Sequence, residues 1–299
     1  MATHLRGSKT HPFLLLLIGT ICISFAAILV KMLDRNQVGP AAIGFWRTGF
    51  GAIILFIWSA IESRRVTLPR RAYGWSILAG FLFFCDLFCW HRCIFACGAG
   101  MATILAGTQV FGSAVLGYFL FKEKLGYKFI IAAVSAFVGV CLLVGVGSQS
   151  VVFTPDYALG IVLGLLTGIA YANYIVTLKK ASAEQAELGT ITLMAWTSLF
   201  TCIFLGAAAL IDGEPMVPQN ARSYLILFAL GLVPQAIGWR AITMSLPRLD
   251  ASRAALGLLL QPLLATIWGF AFFAEHLTVV QSIGAAVTLG AIYVGSMRR

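Results

Sequence analysis

Long apolar runs separated by short polar segments make up almost the whole sequence. A helix needs about 20 predominantly apolar residues to cross the hydrocarbon core of a bilayer. The runs lack the strict alternation of apolar and polar residues that is typical of half-buried strands, and backbone groups in lipid must be paired within their own segment. The pattern therefore predicts an all-α polytopic membrane protein with ten transmembrane helices, at residues 13–31, 40–61, 72–96, 99–121, 127–147, 158–178, 188–211, 222–244, 251–273 and 278–296.

One stretch of this pattern occurs twice. Residues 101–125 and 253–277 each combine a long apolar run with a glutamine near its middle and a glutamate just beyond its end. A repeat of about half the chain indicates an internal duplication, so we expect two five-helix units, at residues 1–150 and 151–299. With a shift of 152 positions the two stretches share Ala102/Ala254, Gln109/Gln261, Gly117/Gly269, Phe121/Phe273, Glu123/Glu275 and Leu125/Leu277.

An odd number of helices in each unit decides the relative orientation of the two units. Five crossings reverse the direction of the chain, so the second unit enters the membrane upside down relative to the first. Inverted repeats of this kind are a transporter architecture, with the substrate near the bilayer midplane between the units. Two similar halves in opposite orientation also give inward-open and outward-open states of nearly equal energy.

The composition is that of a chain with lipid as its solvent. Hydrophobic residues make up 60% of the sequence and charged residues only 11%, whereas soluble domains carry about 25% charged residues. The net charge of +10 does not indicate nucleic-acid binding, because the basic residues form short clusters between apolar runs. If the N-terminus is inside, fifteen lysines and arginines fall in inside segments and three in outside segments. This asymmetry predicts that both termini are cytoplasmic.

The repeated stretches resemble the EamA repeat of the drug/metabolite transporter superfamily, over roughly residues 14–146 and 158–296. Within the superfamily the chain looks most like the bacterial amino-acid exporters of the YddG type. The resemblance implies a basket-like bundle in the bacterial inner membrane, around a central cavity lined by helices 1, 3, 4, 6, 8 and 9. The first repeat has Val110 where the second has Pro262, so only the second has a proline there to bend its helix. The resemblance is carried by Gln109, Gly117, Glu123, Leu125, Gln261, Pro262, Gly269, Glu275 and Leu277.

Polar and aromatic side chains near the helix centres are candidates for a substrate site. Gln109 and Gln261 either form hydrogen bonds between helices or contact the substrate from symmetric positions. The aromatic residues either form a belt at the membrane interface or line a pocket with hydrogen-bonding groups, which suits an apolar side chain attached to a zwitterion. The predicted substrate-binding residues are Gln109, Gln261, Asn173, His91, Trp90, Tyr171, Tyr174 and Trp239.

Asp86 is the acidic residue well inside a predicted span. Ionisable groups in the membrane are functional or paired. A coupling or structural ion pair with Arg47 is favoured over a proton-carrying role for Asp86 alone. Arg92 and Arg240 lie near helix ends, where long side chains reach the interface.

Prolines and glutamates mark the ends and bends of the predicted helices. Pro234 and Pro262 each free a carbonyl and allow a bend, so we predict gating hinges there, the alternative being ordinary tolerance of proline in membrane helices. Glu123 and Glu275 are expected to accept hydrogen bonds at the N-terminus of the next helix.

Four cysteines recur every fourth residue from Cys85 to Cys97. They cover about 18 Å of helix axis, too far to share one ion, so we expect a packed helix seam and no metal site.

The sequence therefore predicts a secondary transporter, not an enzyme. It would export amino acids, aromatic or otherwise neutral, and related small metabolites by alternating access. An intramembrane enzyme would need a catalytic cluster such as HExxH or paired aspartates, which the sequence lacks, and a channel would not require an inverted repeat. Export of other small metabolites or drugs remains the alternative. We expect a monomer in lipid, with a small-molecule substrate, no cofactor and no nucleic acid.

Overall fold

The structure is a computed structural model that describes residues 11–62, 66–144, 154–184, 190–273 and 278–296. Within these ranges every regular element is a helix and no strand occurs. The elements are α1 (Pro12–Lys31), α2 (Pro40–Glu62), α3 (Arg70–Gly107), α4 (Gln109–Phe121), α5 (Tyr127–Val144), α6 (Pro155–Glu184), α7 (Thr190–Ile211), α8 (Ala221–Leu230), a π-helix (Gly231–Gly238), α9 (Trp239–Ser245), a 3₁₀ turn (Leu246–Arg248), α10 (Ala251–Leu258), α11 (Leu260–Phe273) and α12 (Val279–Ser296).

Six of the described helical stretches are long and apolar enough to cross a membrane, and three shorter apolar helices accompany them. The prediction of an all-helical chain with long apolar helices is therefore confirmed for the described residues. The predicted ends at 145–147 and 188–189 lie outside those residues, as do Glu275 and Leu277. The six long stretches are Pro12–Lys31, Pro40–Glu62, Arg70–Phe121, Pro155–Glu184, Thr190–Ile211 and Ala221–Arg248.

The stretch Arg70–Phe121 is interrupted twice. Gly98 has φ 85° and ψ 159°, a conformation open to glycine because it has no Cβ. Thr108 separates α3 from α4, and its hydroxyl donates to the Leu105 carbonyl at 2.6 Å, a local bond that competes with the helical pattern. The chain therefore breaks ten residues after Gly98 without a proline.

A matching break separates α10 from α11 at Leu259. Pro262 explains it, since a proline ring clashes with the carbonyl four residues earlier, and α10 ends at that residue, Leu258. Both repeated stretches are thus interrupted at equivalent places, Thr108 and the Leu259–Leu260 junction, although only the second contains a proline.

The π-helix contains the other predicted hinge, Pro234, at a buried position. π-helices are rare and are frequently found at functional sites. The chain therefore departs from α-helical geometry at Pro234, and movement about this point stays a prediction.

Helices from the first half of the chain pack on helices from the second. The main contacts are α3 with α6, α5 with α12, α2 with α7, and α1 with the π-helix and α9. Glycines bring backbones together at these contacts: a Cβ on Gly80 would lie 3.1 Å from the Thr197 carbonyl, and a Cβ on Gly231 would lie 3.2 Å from the Arg47 carbonyl. Small residues permit such close approach between membrane helices.

Two of the four cysteines of α3, Cys93 and Cys97, lie in the seam with α6. Cys93 lies against Gly164, where a Cβ would be 3.0 Å from its sulfur, and Cys97 lies against Gly160. The Cys97 thiol donates to the Tyr157 carbonyl at 3.3 Å. Within the described ranges no group of three metal-ligating side chains occurs.

Candidate functional site

A cavity of ≈ 60 Å³ lies between the halves of the bundle, lined by residues of α1, α2, α3, α4, α6, α9, α10 and α11. On this measure a water molecule needs about 10–15 Å³, so the cavity holds about four to six waters and must widen for a larger ligand. Five of the eight predicted substrate contacts line it, namely Trp90, Gln109, Tyr171, Trp239 and Gln261.

Three predicted contacts lie elsewhere. His91 is fully buried against α2, where its Nδ1 is 3.0 Å from the Pro40 carbonyl. Asn173 donates to the carbonyl of Ile169 in its own helix at 2.9 Å. Tyr174 lies behind the cavity wall and stacks on Phe83 with ring centroids 4.5 Å apart. None of these three residues lines the cavity.

The two repeated glutamines have different partners. The Gln109 amide donates to the Ala255 carbonyl of α10 at 2.9 Å and its oxygen accepts from the Ser113 hydroxyl at 3.1 Å. The Gln261 amide donates to the Tyr171 hydroxyl at 2.9 Å. Gln109 thus joins α4 to α10, whereas Gln261 and Tyr171 form a hydrogen-bonded pair on the cavity wall.

Aromatic rings form the wall on the side of α3, α6 and α9. The Trp239 ring lies edge-on to Phe83 at 5.2 Å, to Tyr174 at 4.8 Å and to Tyr171 at 5.8 Å between centroids. Edge-to-face contacts of this kind fix ring orientation. The rings therefore give the cavity a rigid apolar face.

Arg47 and Asp86 line the same cavity but form no ion pair with each other among the described residues. Arg47 is 2% exposed and Asp86 6% exposed. The Arg47 guanidinium carbon is 5.8 Å from the Phe83 ring centre. The expected direct pair is therefore absent from this conformation, and the two charges face the cavity separately.

The helix breaks at Thr108 and Leu259 bring helix termini to the cavity. Gly107, Gln109, Leu258, Leu259 and Pro262 all line it. Interrupted helices of this kind form the substrate sites of many secondary transporters, because freed backbone groups there can contact a polar ligand.

Ion pairs link helices at both ends of the bundle. At one end, which we call the Arg92 end, the Arg92 guanidinium of α3 contacts Asp212 and Glu214, the latter at 2.7 Å. At the opposite, Arg240 end, Arg240 of α9 pairs with Glu62, the last residue of α2, at 2.6 Å. The sequence predicted only that these arginines reach the interface, because their partners lie 120 and 178 residues away.

Glu123 caps a helix other than the expected one. Its carboxylate accepts from the backbone N–H groups of Ala251 at 2.6 Å and Ser252 at 3.2 Å, and from the Ser252 hydroxyl at 2.8 Å. Lys179 pairs with it at 3.0 Å. The next helix in sequence, α5, was the expected partner. Glu123 caps α10 instead, because the chain turns back over Gly117, whose carbonyl accepts the Glu123 N–H at 3.2 Å.

Glu123 lies outside the helices that cross the apolar core. Burial alone would raise the pKa of its carboxyl group, but the hydrogen bonds from Ala251, Lys179 and Ser252 outweigh burial and hold the pKa below its usual range.

Other lining residues were not singled out from the sequence, among them Phe83 and Leu87. A signal for them exists. With Asp86 and Trp90 they form an i, i+3, i+4, i+7 pattern on α3, which places all four on one helix face. A search for the face that carries the one deep acid would have found this stripe.

A helical membrane bundle with a polar and aromatic cavity between its halves is the arrangement of a membrane transporter. Comparison with known proteins agrees: the model of the EamA-like transporter family matches residues 11–145 and again residues 158–297. The chain therefore belongs to the EamA-like transporter family.

Curated relatives are similar over most of their length. A probable amino-acid metabolite efflux pump of Escherichia coli K12 is 25% identical over 280 residues, covering 91% of this chain and 89% of the relative. The threonine/homoserine exporter RhtA of the same strain is 25% identical over 291 residues, covering 96% and 90%. A solved crystal structure superposes on this chain with a TM-score of 0.79 at 17% sequence identity, and the superposition covers 97% of this chain and 98% of the solved chain. That likeness shows the fold alone.

Proposed function

We propose that this protein is a secondary transporter that exports amino acids and related small metabolites by alternating access through the central cavity. The cavity carries the proposal: residues from both family-matched segments line it, and it combines an apolar aromatic wall with a few polar groups. Sites for small molecules have this composition, with the polar groups fixing orientation.

The chain would be built from two inverted units of five helices, at residues 1–150 and 151–299. The family model matches once in each unit. The helix contacts support a two-fold arrangement. Equivalent helices pack on each other, α2 on α7 and α5 on α12, and the contact of α1 with α9 corresponds to the contact of α6 with α3. The stretch Arg70–Phe121 would cross twice, because its 52 residues extend about 78 Å as a helix, far beyond a hydrocarbon core of about 30 Å.

In the bacterial inner membrane both termini would be cytoplasmic, which places the Arg92 end outside and the Arg240 end inside. The excess of lysine and arginine in the inside segments supports this orientation. A single cysteine at position 67, in a variant without the native cysteines, would react with an impermeant thiol reagent only from the inside. Reaction from the outside in intact cells would overturn the orientation.

Alternating access would open the cavity to one end at a time. The ion pairs at the Arg92 and Arg240 ends tie α3 to the segment after α7 and α9 to the end of α2. Each is placed to hold one end closed, and the π-helix around Pro234 and the break at Pro262 supply points where helices can bend.

Transport of a radiolabelled L-amino-acid panel by the purified chain in proteoliposomes tests the function. Counterflow that saturates with at least one neutral amino acid is the expected result. A panel that is inert while other metabolites or drugs exchange would favour the alternative, and leakage without saturation would indicate a channel. We expect the active species to be a monomer, so activity should scale linearly with protein at one chain per vesicle.

A further inference from the structure

We propose that Arg47 and Asp86 bind the two charged ends of a zwitterionic amino acid: the guanidinium takes the α-carboxylate and the Asp86 carboxylate takes the α-ammonium group. The inference rests on the proposed function, and it specifies how the cavity recognises the substrate class.

Both side chains are buried, and neither forms a hydrogen bond or an ion pair in the part of the chain that the structure describes. Arg47 is 2% exposed, and its Nε has no hydrogen-bond partner. Asp86 is 6% exposed and its carboxylate accepts no hydrogen bond from a described residue. A buried charge without a partner is strongly unfavourable, so a ligand that brings a complementary charge to each group would be bound favourably.

Helix packing does not require an arginine at position 47. The neighbours Trp46 and Phe50 recur 150 positions later as Trp196 and Phe200, so Thr197 occupies the position in the second half that is equivalent to Arg47. The carbonyls of Arg47 and Thr197 make equivalent close contacts, with Gly231 and Gly80. Because an uncharged residue serves at the equivalent contact, the guanidinium serves another purpose.

The positions of the two charges match an amino-acid backbone. They lie on adjacent helices, α2 and α3, line one cavity and act on each other electrostatically without direct contact. A guanidinium binds a carboxylate through two parallel hydrogen bonds, and the wall around Phe83, Trp90 and Trp239 is free to take the substrate side chain.

A pair of opposite charges also gives selectivity. A ligand with one charge would leave the other buried group unpaired. Leaving a charged group unsatisfied lowers affinity by at least about tenfold. The cavity should therefore prefer zwitterions to amino-acid esters and to N-acyl amino acids.

The first test uses the wild-type chain in proteoliposomes and measures inhibition of labelled L-threonine counterflow. Unlabelled L-threonine should inhibit at least about tenfold better than L-threonine methyl ester, which lacks the carboxylate, and N-acetyl-L-threonine, which lacks the ammonium group. Equal inhibition by all three compounds would overturn the assignment.

The second test assigns each end to its residue. Arg47→Gln should lose the preference over the methyl ester but keep the preference over the N-acetyl compound, and Asp86→Asn should do the reverse. Lys180→Gln is the matched control, because Lys180 lies over the Trp75 ring, 5.2 Å from its centre, and not in the cavity. Both preferences unchanged in folded Arg47→Gln and Asp86→Asn would overturn the proposal.

Failure of the proposed function gives a different result. Tryptophan fluorescence of detergent-solubilised protein measures L-threonine binding without transport, because two of the seven tryptophans, Trp90 and Trp239, line the cavity. Binding with the expected zwitterion preference but no counterflow would contradict transport and support the assignment. Counterflow without that preference would contradict the assignment alone. If Arg47→Gln does not fold, the wild-type analogue test still decides.

Discussion

The carboxylate of Glu123 accepts a 2.6 Å hydrogen bond from the backbone N–H of Ala251, 128 residues further along the chain. The contact joins the end of α4 to the start of α10 and satisfies an N–H group that has no partner within its helix. The same carboxylate pairs with Lys179 of α6. One side chain thus ties three segments together at the Arg240 end.

Replacing Glu123 by Gln should destabilise the protein at neutral pH by about 0.5–2 kcal/mol, the range for loss of a helix cap. Because the folded-state pKa of Glu123 is lowered, its contribution is fully present above the unfolded pKa of about 4.3 and is lost as the pH falls through the folded pKa. Thermal unfolding in detergent from pH 7 to pH 3 should therefore show a gap between wild type and Glu123→Gln that closes in acid.

Glu184→Gln is the control for this experiment. Glu184 is a more exposed carboxylate that accepts one hydrogen bond, from the Trp75 indole at 2.9 Å. It should shift the melting temperature much less. A gap for Glu123→Gln that stays constant across the pH range would contradict the electrostatic origin of the effect.

Removing either ion pair should open the corresponding end. With a reporter cysteine at Ser24 or Thr103 in the cavity lining and no native cysteines, Arg92→Gln should increase labelling by an impermeant reagent several-fold from the Arg92 end. Arg240→Gln should do so from the Arg240 end. Each substitution removes contacts that hold one end closed, so the equilibrium shifts toward the state that is open at that end. If both variants increase labelling from the same side, the pairs do not act as separate closures.

Glycine contacts between α1 and the end of the π-helix should be sensitive to one methyl group. A Cβ on Gly19 would lie 2.7 Å from the Gly238 carbonyl, with backbone that cannot move away locally. Gly19→Ala should therefore destabilise by about 1–3 kcal/mol, seen as a lower melting temperature in detergent. Gly290→Ala is the control, since no atom lies within 4 Å of its added Cβ. Equal melting temperatures for the two variants would show that α1 and the π-helix are less tightly packed than described.

Two of the three amide side chains predicted for the site, Gln261 and Asn173, should behave differently. Gln261→Ala removes the hydrogen bond to Tyr171 on the cavity wall and should weaken substrate exchange about tenfold, with the protein still folded, if the pair orients the ligand. Asn173→Ala should leave exchange unchanged, because Asn173 donates within its own helix. Equal losses in counterflow for both variants would place the site closer to Asn173.

The sequence predicted helix positions well because the apolar runs are long and short loops separate them. The sequence predicted only one of the two helix breaks. A proline signals the break before α11 at Leu259, whereas the break before α4 has no proline and involves a local hydrogen bond of the Thr108 hydroxyl. The sequence did not predict correctly which face of each helix lines the cavity. Asn173, Tyr171 and Tyr174 are close in sequence, yet only Tyr171 lines the cavity. Asn173 is two positions from Tyr171 and therefore lies on a different face of the helix, whereas Tyr174 is three positions away and stacks on Phe83.

Long-range partners were the other limit. Spacing along one helix reveals which residues share a face but not which carboxylate a distant arginine meets, so the Arg92 and Arg240 pairs could not be predicted. Asp86 and Arg47 were recognised as the deep charges. A direct ion pair was expected because that is how such charges are usually satisfied, and only the three-dimensional arrangement shows the cavity between them.

The presence of Arg47 where the second half has Thr197 has a stereochemical consequence. Two identical halves would offer a ligand two orientations related by a half-turn, and the ligand could bind in either. A single guanidinium and a single carboxylate, both supplied by the first half, remove that equivalence. A bound amino acid would keep one orientation while the cavity opens first to one side of the membrane and then to the other, so it would not need to rotate during transport. With the aromatic wall as a third point of attachment, the cavity becomes handed and would distinguish L from D enantiomers.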